Sequence, residues 1–89
     1  MKKLEQLANY YKMLSNPTRL CILSRLIEKG EVNVTNLVSC SNKSQSYISQ
    51  ELAKLKKWGI VENKKVGLEN YYKLTNSDIA KIIQTTCKF

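Results

Sequence analysis

The amino-acid sequence predicts a mostly α-helical domain with one small β-hairpin, arranged as a winged helix-turn-helix of five helices and short strands. Three observations carry this prediction. Apolar residues recur at helical spacing in five segments, and only a short polar turn separates the third segment from the fourth. Two short strands then follow the fourth segment and precede the fifth. With 89 residues there is room for a single domain, assigned to 1–89.

The first part of the chain predicts two helices. Residues 3–14 carry apolar side chains at spacings of three and four. Asn16 is a favourable N-cap and Pro17 suits the first helical position, so a second helix is predicted over 17–29 with Gly30 at its end. The apolar stripe predicted for this helix comprises Leu20, Leu23, Leu26 and Ile27, with Ile22 beside it.

The middle of the chain predicts a short strand and two further helices. Residues 31–34 alternate polar and apolar side chains, and Thr35 is the predicted cap of a third helix that reaches about residue 40. Ser44 is the predicted cap of the fourth helix, over 44–58. Its predicted buried side comprises Ile48, Leu52, Leu55 and Trp58.

The last part of the chain predicts a β-hairpin and a closing helix. Residues 60–62 and 70–74 have strand composition, and the polar segment between them makes 63–70 a candidate wing. Thr75 or Asn76 is the predicted cap of the last helix, whose apolar side comprises Ile79, Ile82 and Ile83.

The charge balance indicates a polyanionic partner. Fifteen Lys and Arg residues oppose seven Asp and Glu residues, for a net charge of +8 on a small body. The lysines are interleaved with the predicted elements, which argues against a basic tail, and they border no broad apolar helical face that would favour a membrane surface. No segment resembles a signal peptide or a membrane span, so we expect a cytoplasmic protein.

The fourth helix has the polarity of a recognition helix, with short polar side chains at its start and lysines at its end. Gln offers a donor and an acceptor that match adenine N6 and N7, whereas lysines contact phosphates. The sequence therefore predicts binding to double-stranded DNA, with the following candidate contacts on this helix and on the wing: Ser44, Gln45, Ser46, Tyr47, Ser49, Gln50, Lys54, Lys57, Lys64 and Lys65.

Four motifs in order, at residues 16–23, 45–52, 59–61 and 71–74, resemble the ArsR/SmtB family of repressors over about residues 7–85. The resemblance implies a transcriptional repressor that binds an inverted-repeat operator as a homodimer through its first and last helices. The apolar sides of these helices also exceed what one small core can cover. The interface candidates are Leu4, Leu7, Tyr10, Leu14, Ile79 and Ile83.

Departures from the family pattern predict a member with neither a metal site nor a cofactor. Metal-sensing relatives carry Cys-x-Cys at the start of the third helix, where this chain has Asn33 and Thr35. Others use His on the last helix, which here has Asp78, and the chain contains no His at all. Glu51 stands where the family often has His, and a carboxylate there would be repelled by phosphate but could accept a hydrogen bond from cytosine N4.

Two alternatives to a metal-independent repressor remain open, a thiol switch and a protein-contact role. The cysteines Cys21, Cys40 and Cys87 have no metal-ligand spacing and are interpreted first as buried packing residues. Some metal-independent relatives sense oxidants through one Cys on the second helix and one on the last, so the same regulator could carry a Cys21/Cys87 redox switch. The second alternative is an antagonist, a winged helix that binds another regulator instead of DNA. Such a protein would expose apolar residues on the fourth helix, where Tyr47 is the only large candidate.

An enzyme is not predicted, because no His, phosphate loop or activated nucleophile is present.

Overall fold

The computed structural model describes residues 1–39 and 42–86 of the chain. Within these ranges, the chain forms five helices and a three-stranded antiparallel sheet, which confirms the predicted winged helix-turn-helix. Cys40, the predicted end of the third helix, lies outside the described residues. The elements are α1 (Lys2–Leu14), α2 (Pro17–Lys29), β1 (Glu31–Asn33), α3 (Val34–Val38), α4 (Gln45–Lys57), β2 (Val61–Val66), β3 (Glu69–Leu74) and α5 (Ser77–Thr86).

Local capping fixes the start of α2 and α5, as the sequence predicts. The Asn16 side chain accepts hydrogen bonds from the backbone N–H groups of Thr18 and Arg19, at 2.9 and 3.2 Å. The Asn76 side chain likewise accepts from the Ile79 N–H at 3.0 Å. Each such bond satisfies an amide that the helix itself leaves unpaired, and losing one costs about 1 kcal/mol.

The predicted cap of α3 is wrong by two residues. Asn33, not Thr35, caps the helix, because its side-chain oxygen accepts from the Asn36 N–H at 3.0 Å. Asn33 also ends β1, so its extended backbone serves the strand and the cap at once. The helix therefore begins directly where the strand stops.

The hairpin of β2 and β3 is longer than the sequence predicts. Strand pairing extends to Val66 opposite Glu69, so most of the segment predicted as a polar tip is regular sheet. The turn itself contains Gly67 and Leu68, and Gly67 adopts a φ of 63°, a left-handed conformation that glycine accepts without strain. In the sheet order β1-β3-β2, the central strand β3 is flanked by two edge strands.

One apolar core joins α2, α3 and α4 to the base of the sheet and to α5. The stripe that α2 buries is rotated from the prediction, since Leu20 is partly exposed while Ile22 is fully buried. On α4, Ile48, Leu52 and Leu55 are completely buried, as predicted. This burial fixes which side of α4 remains open to solvent. The core comprises Met13, Leu14, Ile22, Leu23, Leu26, Val32, Leu37, Ile48, Leu52, Leu55, Ile60, Val61, Ile79 and Ile83.

Candidate nucleic-acid interface

The first two turns of α4 present a polar face to solvent. The Ser44 side chain caps the helix by accepting from the Tyr47 N–H at 3.1 Å. Tyr47 itself is half-buried, with the Lys43 ammonium 5.6 Å from its ring centroid. The exposed side chains on this helix include short polar groups at the start and lysines at the end: Gln45, Ser46, Ser49, Gln50, Lys54, Lys56 and Lys57.

Glu51 does not lie on the exposed face of α4, contrary to the expectation that it would stand near DNA. It is 2% exposed, and its Oε1 lies 3.6 Å from Nε of Arg19 on α2. Lys54, one turn further along α4, brings its Nζ within 3.4 Å of Glu51 Oε2. A carboxylate is buried only when cations offset its desolvation, so these partners explain why Glu51 faces inward.

Arg19 links three parts of the chain, and the sequence analysis missed it as a functional residue. Its Nη1 donates to the Met13 carbonyl at the end of α1, at 3.2 Å, and its guanidinium lies 5.2 Å from the Trp58 ring centroid. Trp58 was predicted to be buried, but it is 47% exposed, because its indole packs on this cation at the end of α4 and not in the core. The cluster of Arg19, Glu51 and Trp58 therefore positions α4 against α1 and α2.

The two wing lysines have different surroundings. Lys64 and Lys65 are adjacent on β2, so their side chains leave opposite faces of the hairpin. Lys64 lies 3.7 Å from the Glu31 carboxylate across the sheet, on the face that also carries the Lys73–Glu62 pair at 3.2 Å. Lys65 is exposed and forms no ion pair with any residue in 1–39 or 42–86.

The predicted interface residues fall into two groups. Leu14, Ile79 and Ile83 lie in the core of the chain itself and are not available to a partner in this conformation. Leu4 and Leu7 are exposed on α1, and Tyr11, which was not a candidate, continues their stripe one turn on. Tyr10 is half-buried, with its hydroxyl accepting hydrogen bonds from Gln6 and Asn76.

Asn33, one of the two residues that replace the expected Cys-x-Cys motif, is a structural polar group. Asn33 caps α3 and donates through Nδ2 to Glu69 Oε2 at 3.0 Å, which ties the helix to the sheet. Across the described ranges, no group of three or more His, Cys, Asp or Glu side chains is placed to hold a metal ion. None of the described helices has the length and apolarity needed to cross a membrane.

Cys21 lies half-buried on α2 and is disulfide-bonded. Cys40 and Cys87, the other two cysteines of the chain, lie outside the described residues.

A capped helix with an exposed polar face, preceded by a helix and turn and followed by a cationic hairpin, defines a winged helix-turn-helix module of the nucleic-acid-binding class. The model of a family described as "Bacterial regulatory protein, arsR family" matches residues 16–63. The chain therefore belongs to the arsR family, and it is a DNA-binding transcriptional regulator.

Similar proteins extend this match over nearly the whole chain. An uncharacterised HTH-type transcriptional regulator from Methanocaldococcus jannaschii is 38% identical over 84 residues, which are 94% of each chain. Among solved structures, the transcriptional repressor PagR of Bacillus anthracis is 30% identical with a TM-score of 0.80, covering 96% of this chain and 97% of PagR. The repressor BigR from Xylella fastidiosa is 33% identical with a TM-score of 0.86, covering 94% of this chain and 85% of BigR.

Proposed function

We propose that this protein is a cytoplasmic, homodimeric repressor that binds an inverted-repeat DNA operator, with α4 in the major groove and the β2–β3 wing on the flanking backbone. The observation that carries the proposal is the division of α4 into two sides. Ile48, Glu51, Leu52 and Leu55 are buried, while the polar side chains of the first two turns are exposed on the other side. A helix held in this way offers its N-terminal residues to base edges.

Gln50→Ala should weaken binding to the operator by about 1–3 kcal/mol and leave binding to scrambled DNA nearly unchanged, because a base-edge contact carries sequence information. Gln50 is exposed in the second turn of α4, where it can reach an adenine edge. Fluorescence anisotropy titrations with both duplexes measure the two affinities. The operator duplex is taken from DNA upstream of the protein's own gene.

Gln84→Ala is the matched control, since Gln84 is also exposed but lies on α5. It should change neither affinity. Equal losses on operator and scrambled DNA for Gln50→Ala would place Gln50 on the backbone and contradict the proposed orientation of α4.

The exposed apolar stripe on α1 supports the proposed dimer. Leu4 is 62% exposed, and Leu7 and Tyr11 follow it on the same side of the helix. Such a stripe on a small domain is stabilised when a second subunit covers it. Beside it, Leu7 and Tyr10 form a groove with Ile82 of α5, which extends the apolar surface to the last helix.

Leu7→Glu should therefore convert the dimer to a monomer at micromolar concentration, because burying an unpaired carboxylate in the interface is strongly unfavourable. Size-exclusion chromatography with light scattering gives the mass. Leu68→Glu makes the same change at a leucine on the wing tip that is 98% exposed, and should leave the dimer intact. A dimeric Leu7→Glu variant would exclude this stripe as the interface.

We propose that the repressor acts without a metal ion. The Asn33 side chain caps α3 and donates to Glu69, and it supplies no thiolate. Nor does any observation favour the antagonist alternative, because Tyr47 is half-buried and lies beneath Lys43 instead of offering an apolar surface.

The disulfide at Cys21 favours a second candidate function, a repressor whose DNA affinity depends on thiol oxidation. Our hypothesis pairs Cys21 with Cys87: two thiols lose two protons and two electrons to an oxidant such as diamide, and an S–S bond forms. Oxidised and reduced protein should then differ at least about tenfold in operator affinity, a coupling of about 1.4 kcal/mol. Cys21→Ser and Cys87→Ser should both abolish the difference, while Cys40→Ser should keep it. Equal affinities before and after oxidation would leave the disulfide without a regulatory role.

A further inference from the structure

A cavity of about 480 Å³ lies between α1, the start of α2 and the junction of α4 with β2. This volume is in the range of pockets that hold small organic ligands. Met13 and Ile60 provide apolar wall, and Tyr10 and Trp58 provide aromatic rings. The cavity therefore has the apolar lining on which a planar ring can pack.

The polar groups of the cavity select for negative charge. Lys12 and Arg19 line it, together with the amides of Gln6 and Asn9, and no acidic residue is among its described lining. Amide groups can donate hydrogen bonds to a carboxylate, and two cations in a partly enclosed site favour an anion strongly over a neutral ligand. A small aromatic carboxylate satisfies both the rings and the cations.

Arg19 is incompletely bonded to Glu51. Its Nε is buried and forms no hydrogen bond with any described residue, and the 3.6 Å to Glu51 Oε1 exceeds hydrogen-bonding distance. Glu51 Oε2 is likewise buried and without a hydrogen bond among the described residues. The ion pair that holds α4 is thus incompletely bonded on both sides, and a carboxylate that displaced Glu51 would bond the same guanidinium bidentately.

We propose that this cavity binds a small aromatic carboxylate, and that the ligand competes with Glu51 for the Arg19 guanidinium. Binding removes one of the two cations that offset the burial of Glu51, and so biases α4 away from the orientation seen here. The consequence for operator affinity rests on the proposed function, whereas the binding itself does not.

The cavity lies mostly away from the stripe assigned to the proposed interface. At 3.6 residues per turn, Asn9 and Met13 are on the opposite side of α1 from Leu4 and Leu7. Tyr10 lines both the cavity and the groove beside Leu7, so the proposed interface would border the cavity at Tyr10 and leave the side of Asn9 and Met13 open.

Trp58 is the sole tryptophan of the chain and lines the cavity, so its fluorescence reports occupancy directly. Titration of the full chain with benzoate should shift or quench this emission with a dissociation constant of about 1 mM, the strength open to so small a ligand. Benzamide, the neutral isostere, should bind at least about tenfold more weakly. Equal responses to both, or no response to benzoate, would overturn the proposal.

Three variants locate the site and test the competition. Lys12→Gln should weaken benzoate binding several-fold, whereas Lys29→Gln, which changes the corresponding last-turn lysine of α2, should not. Glu51→Gln should strengthen benzoate binding several-fold, because it removes the competing carboxylate. Unchanged binding in Lys12→Gln, or weaker binding in a Glu51→Gln variant whose circular dichroism is that of the natural chain, would contradict the proposal.

The effect on DNA is measured separately. At equal ionic strength, saturating benzoate should lower operator affinity by about fivefold or more, and benzamide should not. An unchanged affinity with benzoate bound would refute the coupling to α4. A chain that binds benzoate at this site but no DNA would refute the proposed function and leave the site established.

Discussion

Arg19→Met should lower the free energy of unfolding by about 3 kcal/mol, because it leaves the Glu51 carboxylate buried without the more buried of its two cationic partners. The loss should lie at the low end of the range for broken buried pairs, which is about 3–5 kcal/mol, since Lys54 remains 3.4 Å from Glu51. Urea denaturation at one fixed protein concentration measures it, because stability of a dimer depends on concentration.

Two controls separate a broken buried pair from a general effect of the substitution. Adding Glu51→Leu to Arg19→Met should restore most of the stability, because an apolar pair no longer carries an uncompensated charge. Lys73→Met breaks the exposed pair with Glu62 and should cost less than about 1 kcal/mol. If the double variant is as unstable as the single one, the packing of Arg19 on Trp58, and not its charge, dominates.

Raising salt from about 50 to about 200 mM should weaken operator binding by about 10³–10⁴ if each subunit neutralises three to four phosphates, which corresponds to a log–log slope of roughly −5 to −7. The net charge of +8 and the exposed lysines of α4 and the wing are the physical basis. Anisotropy titrations at several salt concentrations give the slope. A slope near zero would indicate a protein partner in place of DNA.

Lys65→Ala should make the slope shallower by about two per dimer, one phosphate for each subunit. Lys64→Ala should have the smaller effect, because Lys64 lies beside Glu31 while Lys65 forms no ion pair with a described residue. Lys2→Ala, on the exposed start of α1, is the neutral control and should leave the slope unchanged. A full effect in Lys64→Ala with none in Lys65→Ala would mean that the opposite face of the hairpin meets the backbone.

Local sequence signals predicted the caps at Asn16 and Ser44 and offered Asn76 as one of two caps for α5, because an N-cap is decided by residues within three positions of it. At α3 the local signal chose the wrong residue, since Asn33 and not Thr35 is the cap. The larger errors arose where distant residues decide. Helical periodicity places Glu51 beside the buried stripe, yet its burial requires Arg19, which lies on another helix 32 positions earlier.

The same limit applies to the last helix and to Trp58. Periodicity identified Ile79 and Ile83 as apolar residues of one helix side, but whether such a side covers its own core or a second subunit depends on tertiary packing. For Trp58 the error is the opposite one. The sequence predicted this large aromatic side chain to be buried because it ends an apolar stripe, but it packs on the Arg19 guanidinium at the surface.

The sheet order β1-β3-β2 leaves β2 as an edge strand, with unpaired backbone groups along one side for six residues. Such an edge invites strand pairing with another molecule, and charged side chains, lysine above all, prevent it. Lys64 and Lys65 lie on this edge strand, so beyond the DNA contacts proposed for them they should also oppose edge-to-edge strand pairing between molecules. Replacing both with alanine would leave Glu62 as the remaining charged side chain of β2, near the exposed Val66 and Leu68. The resulting aggregation would lower the amount of soluble protein, and this loss could be mistaken for a loss of DNA binding.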